Sequence, residues 1–182
     1  MEKKENKRVI VLYKSFYGST KQYAEWIAEA TGGDCFDLDS IKADDLQKYD
    51  VIVFGGGLYA AGINGMKTFH IMYDQIKDKR IIICAVGLSP VIEKFINEVR
   101  EANLTAEMKE KADFFLLRGA YDHKKQKFTH KMMMKALAAK IKSKKEEERT
   151  EEDRGVLECI QNPVDFMNKE SIKPIVDTIH QA

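Results

Sequence analysis

The stretch 15–21, Ser-Phe-Tyr-Gly-Ser-Thr-Lys, carries side chains that could bind an anion. The hydroxyls of Ser15, Ser19 and Thr20 can donate hydrogen bonds. Gly18 has no side chain, so a ligand can come close to the backbone there. An apolar run precedes the stretch and a helix-forming run follows it, and the unpaired amides at the start of a helix favour a phosphate. The alternative is an ordinary strand-to-helix turn in which Ser19 or Thr20 caps the helix.

Two further glycine-bearing stretches follow apolar runs that are short and rich in β-branched residues. Residues 51–54 lead into 55–62, and residues 81–86 lead into 87–90. Runs of this kind are typical of strands that are buried on both faces of a parallel sheet. The carboxyl ends of parallel strands meet at one edge of the sheet, where ligands bind. Three such stretches at one edge favour a binding site over an ordinary turn.

Five apolar strands alternate with helices along the chain, which predicts βαβ units and a parallel sheet. We expect the strands at 9–13, 34–38, 51–54, 81–86 and 114–117, and a last helix at about 171–180. Right-handed crossovers then give an α/β fold, a doubly wound five-stranded parallel sheet with helices on both faces. With 182 residues, the chain is predicted to form a single domain, 1–182.

Composition and charge narrow the partners and the location of the protein. The chain has 30 basic and 29 acidic side chains, so we expect no general attraction for nucleic acid. Its three cysteines and four histidines are scattered and lack the spacing of metal ligands. The chain shows no secretory leader before the first strand and no apolar run long enough to span a bilayer. These features predict a cytoplasmic protein without a metal site.

The first stretch lacks the glycine spacings of dinucleotide-binding and Walker phosphate loops. Its pattern Ser15-x-Tyr17-Gly18-x-Thr20 instead resembles the phosphate loop of flavodoxins, which is commonly Thr/Ser-x-Thr/Tyr-Gly-x-Thr. The resemblance therefore points to the flavodoxin-like FMN-binding family.

Other parts of the chain share this resemblance, which covers roughly residues 8–180. Residues 12–24, 49–62 and 85–88 are similar to the corresponding flavodoxin segments. Residues 115–122 also resemble one branch of the family, the menaquinone-dependent protoporphyrinogen dehydrogenases. The motif is fairly specific in the first stretch and weaker elsewhere.

The resemblance implies a noncovalent FMN whose phosphate lies on the first stretch and whose isoalloxazine lies between the other two. The implied cofactor-binding residues are Ser15, Phe16, Tyr17, Gly18, Ser19 and Thr20 in the first stretch, Gly57, Leu58, Tyr59, Ala60, Ala61 and Gly62 in the second, and Val86, Gly87, Leu88 and Ser89 in the third. Tyr59 is the aromatic candidate for the flavin face, and a tyrosine packed under a loop is the alternative. Gly57 or Gly62 could let a backbone carbonyl turn toward N5 of the reduced flavin.

The chain departs from the flavodoxin pattern in three ways. Its one tryptophan, Trp26, falls on the first predicted helix, where packing is the simpler role. Leu88 stands where an aromatic residue is expected. Electron-carrier flavodoxins are strongly acidic, whereas this chain has a formal net charge of +1. These departures weaken the interpretation as a simple electron carrier but leave FMN binding intact.

A long segment at about 122–155 exceeds what a strand-to-helix connection needs and is predicted to be a helical insertion. Residues 124–145 are strongly basic, and residues 146–153 are acidic and predicted to be a solvated helix end or linker. A basic amphipathic helix can contact an anionic membrane surface or a partner protein, and ordinary docking on its own domain is the alternative. In the dehydrogenase branch, this region is associated with substrate or quinone access.

Three functions remain open from the sequence. The first is an FMN protein that transfers electrons to a redox partner protein. The second is an FMN-dependent oxidoreductase acting on a quinone or a protoporphyrinogen-like substrate. The third is a flavin-free module of the same fold that binds a partner. The catalytic residues stay unknown: His123 and His130 are candidate proton donors beside a flavin, and ordinary solvated histidines are the alternative.

Overall fold

The computed structural model describes residues 7–59 and 61–181. Their contacts divide the chain into two compact units. The first unit contains the described residues up to Arg118 and from Met167 onward, and the second is Gly119–Phe166. The second unit therefore contains the predicted insertion at about 122–155 together with about three residues before it and about eleven after it.

The residues that the structure describes form eight strands. They are β1 (Val9–Lys14), β2 (Asp34–Asp37), β3 (Val51–Tyr59), β4 (Gly62–Ile63), β5 (Arg80–Gly87), β6 (Asp113–Arg118), β7 (Ala120–Tyr121) and β8 (Val164–Asp165). In the first unit, five strands are parallel and lie in the order β2-β1-β3-β5-β6, and β4 pairs antiparallel with β3. The predicted five-stranded parallel sheet is confirmed, and its strand order reverses between β1 and β3 as in doubly wound folds.

Seven α-helices accompany these strands, five of them in the first unit. They are α1 (Ser19–Thr31), α2 (Met66–Ile76), α3 (Glu93–Asn103), α4 (Ala106–Lys111), α5 (Phe128–Lys142), α6 (Glu151–Gln161) and α7 (Lys173–Gln181), with α5 and α6 in the second unit. The count refers to the parts of the chain that the structure describes.

The sheet of the first unit is covered on both faces because its central strands contain unbroken runs of apolar side chains. One set of alternate side chains, which includes Ile10, Ile52 and Ile83, packs with residues of α2, α3 and α4. The other set, which includes Val11 and Val53, packs with residues of α1 and α7. Successive side chains of a strand point to opposite faces, so an unbroken apolar run supplies two cores.

Helix α1 ends where the sequence changes to two glycines. Gly32 has φ of 64°, and its backbone N–H donates to the Ala28 carbonyl. A left-handed residue at this point closes the last turn, and glycine adopts that conformation without strain. The chain can therefore turn directly into β2.

The second unit contains a two-stranded antiparallel ribbon and two packed helices. Strand β7 pairs with β8, and Phe166 N–H donates to the Gly119 carbonyl over 3.2 Å. Helix α6 begins with a capping box in which Thr150 and Asp153 bond each other's backbone. The last residues of the acidic segment 146–153 therefore form the start of a regular helix of eleven residues rather than a linker.

Candidate cofactor site

The first turn joins the carboxyl end of β1 to the start of α1 and has glycine at its tightest point. Gly18 has φ of 100° and ψ of −27°, a conformation that side chains disfavour. A Cβ atom on this residue would meet nothing within 4 Å, so the backbone conformation, rather than crowding, requires glycine here. The structure thus leaves space beside the residue where the sequence predicts close ligand approach.

The start of α1 has no side-chain cap among the residues that the structure describes. The N-cap residue is Gly18, which has no side chain, and no side-chain hydrogen bond caps the helix. The interpretation in which Ser19 or Thr20 caps the helix is therefore wrong. Ser15 Oγ instead accepts from the Gly18 N–H over 3.0 Å, which stabilises the turn itself. Amides at an uncapped helix start favour an anion.

The lysine that precedes this turn is already paired. Lys14, the last residue of β1, forms ion pairs with Asp37, at 3.1 Å, and with Asp39. The hydrogen bond to Asp39, opposed by partial burial and reinforced by Asp37, raises the pKa of Lys14. Its charge is therefore balanced by two carboxylates, whereas Lys21, at the other end of the stretch, pairs within the described residues with Glu25 alone, at 3.7 Å.

Thr20 is the buried hydroxyl residue of the turn, with 3% of its surface exposed. Its Cγ2 atom lies 3.3 Å from the position a Cβ would take on Gly55. The threonine methyl group thus packs on the bare backbone of β3 and anchors the start of α1 to the sheet.

The glycine run after residue 54 is strand rather than loop, which corrects the prediction for 55–62. Strand β3 continues to Tyr59, and Gly55 pairs with Tyr13 on one side and Cys84 on the other. Gly56 has ordinary extended backbone, but a Cβ there would overlap Ile63 Cγ2 and lie 2.5 Å from the Asn64 carbonyl oxygen. Packing rather than backbone conformation requires glycine at this position.

Strands β3 and β4 form a hairpin whose last pair is Tyr59 with Gly62, and Ala61 belongs to its tip. Leu58 pairs with Ile63, and Asn64 N–H donates to the Gly57 carbonyl over 2.8 Å. The Gly57 carbonyl is therefore already bonded within the hairpin. Ala61 has φ of 67°, and the predicted cofactor residue Ala60 lies outside the described residues.

Three aromatic rings bring the first turn and the hairpin together. The Tyr59 ring centroid lies 5.3 Å from that of Phe16 and 6.2 Å from that of Tyr17. The Tyr59 ring also covers Gly57, where a Cβ would lie 3.0 Å from the tyrosine oxygen. Burial, together with the nearby Tyr17, raises the pKa of Tyr59 to about 12, and a backbone hydrogen bond from Phe16 opposes the rise. Phe16 keeps 41% of its surface exposed.

The third predicted stretch begins inside β5. Val86 is buried in the core on the α1 side of the sheet and pairs with Gly57 and Leu117. A Cβ on Gly87 would lie 3.1 Å from Leu58 Cδ2, so the hairpin packs directly on the end of β5. Leu88 and Ser89 follow the strand and are partly exposed.

Two residues that hold these loops in place were not predicted from the sequence. Asn103, at the end of α3, bonds the hairpin through both Ala61 and Ile63. Arg118, at the end of β6, donates from Nη2 to the Leu88 carbonyl over 3.2 Å. Arg118 could have been suspected from its place at the carboxyl end of a strand, whereas nothing in the sequence links Asn103 to the hairpin.

The end of β6 is in turn fastened to α1. Tyr23 Oη donates to the Arg118 carbonyl over 2.8 Å and accepts the Asn168 N–H over 3.0 Å. Trp26 packs edge-on against the Tyr23 ring, with centroids 5.3 Å apart, which agrees with a packing role for the tryptophan. One side of the site thus rests on a rigid helix.

The site as a whole offers backbone amides, hydroxyls and aromatic rings at the carboxyl edge of a parallel sheet. Within residues 7–59 and 61–181, no three His, Cys, Asp or Glu side chains are arranged to hold a metal ion. In the same portion of the chain, no helix is both long and apolar enough to cross a membrane. The donor set fits a ligand with an anionic group and a flat ring system.

Comparison with known proteins gives one relative of similar sequence. An uncharacterised protein of Methanocaldococcus jannaschii is 34% identical over 98 residues, which is 52% of this chain. The match covers 64% of that relative, so the chain spans less than two thirds of its length.

Solved structures of similar shape include two flavodoxins. One is a flavodoxin from the domain Archaea, with a TM-score of 0.48 and 15% identity, covering 95% of this chain and 99% of that one. The other is a WrbA-like flavodoxin from Agrobacterium tumefaciens, with a TM-score of 0.47 and 20% identity, covering 59% of this chain and 75% of that one. Similarity at this level adds nothing to the fold already described.

A sequence model of a protein family gives the broader match. The family described as the flavodoxin domain matches residues 10–149, which is well over half of the chain. That span includes β1 to β6 and the three stretches of the site. The protein therefore belongs to the flavodoxin domain family.

Proposed function

We propose that the protein binds FMN noncovalently and transfers electrons through it. The observation that carries the proposal is the uncapped start of α1 at Gly18, placed next to the aromatic cluster of Phe16, Tyr17 and Tyr59. An anion-binding turn beside flat aromatic rings matches the two ends of a flavin mononucleotide. Membership of the flavodoxin domain family supports the same cofactor.

Each end of the cofactor would have its own set of residues. The amides at the start of α1 and the hydroxyls of Ser15, Ser19 and Thr20 would hold the phosphate. The hairpin and the residues after β5 would hold the isoalloxazine, with Tyr59 at its face. When bound, FMN supplies the redox chemistry, because its isoalloxazine accepts one or two electrons. Arg118 would hold the Leu88 backbone in place beside it.

A matched pair of variants tests the phosphate anchor. Gly18 and Gly32 lie at opposite ends of α1, both have positive φ, and a Cβ on either would meet nothing within 4 Å. Gly18→Ala should weaken FMN at least tenfold, whereas Gly32→Ala should leave FMN affinity unchanged. Dissociation constants for FMN and for riboflavin, measured by flavin fluorescence, give the readout. FMN binding should be tighter than riboflavin binding in the unaltered chain, and Gly18→Ala should remove most of that difference.

Two results would contradict this proposal. Equal FMN affinity in the Gly18→Ala and Gly32→Ala variants would show that the phosphate lies elsewhere. Purified protein that takes up no FMN and gains no thermal stability from it would favour a flavin-free, partner-binding module.

A second candidate is an oxidoreductase that acts on a quinone or a protoporphyrinogen-like substrate, and the surface of α5 favours it. Phe128 is 76% exposed, and Met132 and Leu137 are also exposed. Nine lysines and no acidic residue lie between positions 123 and 145. An exposed apolar and cationic helix suits an anionic lipid surface, where quinones reside. Electron carriers that dock on basic partners need the opposite charge.

One experiment separates the two candidates. The FMN-loaded protein is photoreduced without oxygen and mixed with cytochrome c, with soluble menadione, or with a long-chain quinone in anionic vesicles. Fast oxidation by cytochrome c and slow oxidation by both quinones would support the carrier. Fast oxidation by the vesicle quinone would support the quinone enzyme if the double variant Phe128→Ser with Lys135→Glu slows it. The rate of oxidation by menadione should not change in that variant. As a control, Ile71→Ser removes an apolar side chain that is 78% exposed in the other unit.

A further inference from the structure

The side chain of Asn103 joins the end of α3 to the hairpin tip at Ala61 and to β4 at Ile63. Its Oδ1 accepts the Ile63 N–H over 2.8 Å, and its Nδ2 donates to the Ala61 carbonyl over 2.7 Å. Nδ2 also donates to the Val99 carbonyl, one turn earlier in the same helix, over 2.8 Å. The chemistry of the partners fixes the orientation of the amide, because one is a donor and two are carbonyl acceptors.

The bond to the Val99 carbonyl matters because it holds the Asn103 amide in place independently of the hairpin. A side chain fixed to its own helix loses little further freedom when it bonds a second element. The two bonds to the hairpin are therefore made by a group that is already oriented. Asn103 acts as a rigid support under the tip.

The tip needs such support because it contains a strained residue. Ala61 has φ of 67° and is the one non-glycine residue with positive φ among the described residues. This conformation is costly for alanine, and strain of this kind persists only where the surroundings hold it. The surroundings here are the β3–β4 pairs, Leu58 with Ile63 and Tyr59 with Gly62, and the two bonds from Asn103.

We propose that Asn103 is a positioning residue for the flavin site, which holds the hairpin tip in its binding conformation without touching the cofactor. The proposal rests on the proposed FMN function, because the hairpin is the element assigned to the isoalloxazine. A preformed tip binds the ring without the entropy loss of ordering a mobile loop. Removing the support therefore weakens the cofactor through the ring end and leaves the phosphate end unchanged.

The first test measures the support in the apoprotein, where no cofactor is needed. Backbone amide exchange over residues 58–64, followed by mass spectrometry, should be at least tenfold faster in Asn103→Ala than in the unaltered chain. Asn97→Ala, an exposed asparagine of the same helix, is the matched control and should leave exchange unchanged. Asn103→Asp keeps an acceptor for the Ile63 N–H but has no donor for Ala61, so it should also exchange faster.

The second test measures the consequence for flavin. Asn103→Ala should weaken FMN and riboflavin equally, by about fivefold or more, because the effect acts at the ring end. Adding Ala61→Gly removes the cost of positive φ and should return both affinities to within about twofold of the unaltered chain. Rescue by glycine at a second position distinguishes positioning of the tip from general loss of stability.

Three results would overturn the proposal. Unchanged exchange in Asn103→Ala would show that the side chain gives no support. Faster exchange with unchanged flavin affinity would show that the support has no role in binding. Loss of FMN affinity with riboflavin affinity intact would place the effect at the phosphate. Failure of the proposed function itself is distinguishable, since the unaltered chain would then bind neither flavin.

Discussion

The turn before α1 and the hairpin after β3 both place glycines at the carboxyl edge of the sheet, but for opposite reasons. Gly18 adopts φ of 100° in open space. Gly56 has ordinary extended backbone and lies where Ile63 and Asn64 leave no room for a Cβ. One glycine is required by conformation and the other by packing. Changes at the two positions should therefore affect different properties of the protein.

The polar groups of the two regions differ in the same way. At the start of α1, no side chain of the described residues caps the helix. In the hairpin, the Gly57 and Ala61 carbonyls and the Ile63 N–H all have protein partners. The start of α1 thus lacks a side-chain cap, as the proposed phosphate site requires, whereas side-chain and backbone bonds hold the hairpin in shape. A binding site needs both kinds of element.

The largest expected effect concerns packing in the hairpin. Gly56→Ala should lower the free energy of unfolding by about 3 kcal/mol, because the new methyl group meets a backbone carbonyl and a buried side chain. Gly55→Ala is the control, since its Cβ would have Thr20 Cγ2 as nearest neighbour at 3.3 Å and should cost about 1 kcal/mol or less. Urea unfolding of the apoprotein gives both values. Equal losses of unfolding free energy in the two variants would show that packing does not require glycine at position 56.

A smaller effect is expected from the glycines that are required by conformation. Gly18→Ala and Gly32→Ala should each lower the free energy of unfolding by about 1 kcal/mol, because alanine disfavours positive φ. The two losses should be similar, since neither Cβ meets a neighbour within 4 Å. A Gly18→Ala loss as large as that of Gly56→Ala would indicate hidden crowding in the first turn.

An effect that is absent at neutral pH appears at high pH, where the aromatic contact between the two regions can ionise. Folding raises the pKa of Tyr59 from 10.0 to about 12, so folding favours its neutral form. The resulting stability is fully present below pH 10 and is lost as the pH rises toward 12. Tyr59→Phe should flatten this part of the stability curve and remove one late-ionising tyrosine from the absorbance titration.

Tyr49 provides the comparison for that titration. Burial and the hydrogen bond to Asp34 raise its pKa to about 12 as well, but it precedes β3 at the other end of the strand. Tyr49→Phe should therefore give a similar alkaline effect without altering flavin affinity. An alkaline curve unchanged by Tyr59→Phe would show that the phenol is not buried against the first turn.

The main architecture was predictable from the sequence because it depends on local apolar runs. The runs at 9–13 and 81–86 are strands within one residue of their predicted bounds. The first turn was also predictable, since a glycine between hydroxyls at a strand-to-helix boundary is a local pattern. Its relation to a cofactor stays a proposal.

The course of β3 was not predictable in the same way. A run of three glycines favours a loop by local propensity, yet Gly55 and Gly56 are held in extended form by β1 on one side and β5 on the other. Tertiary pairing thus overrides local preference. Sequence reasoning could not see this, because the partners of these residues lie about 30 to 40 positions away.

The start of α6 was predictable but was obscured by composition. Thr150-x-x-Asp153 has the spacing of a capping box, yet it lies in a run of acidic residues that resembles a solvated linker. Asn103 differs, because its hairpin bonds join residues 40 and 42 positions apart and no spacing rule predicts them. Local signals can be recovered by closer inspection, whereas this contact needed the structure.

The hydroxyl of Tyr23 has a consequence for how this protein can diversify. It bonds both Arg118, where the chain leaves the first unit, and Asn168, just after the chain returns. The two ends of the intervening segment are thus anchored to one point on α1, and the entropy cost of closing such a loop grows only slowly with its length. Selection can therefore lengthen, shorten or rewrite residues 119–166 with little effect on the fold that surrounds the site.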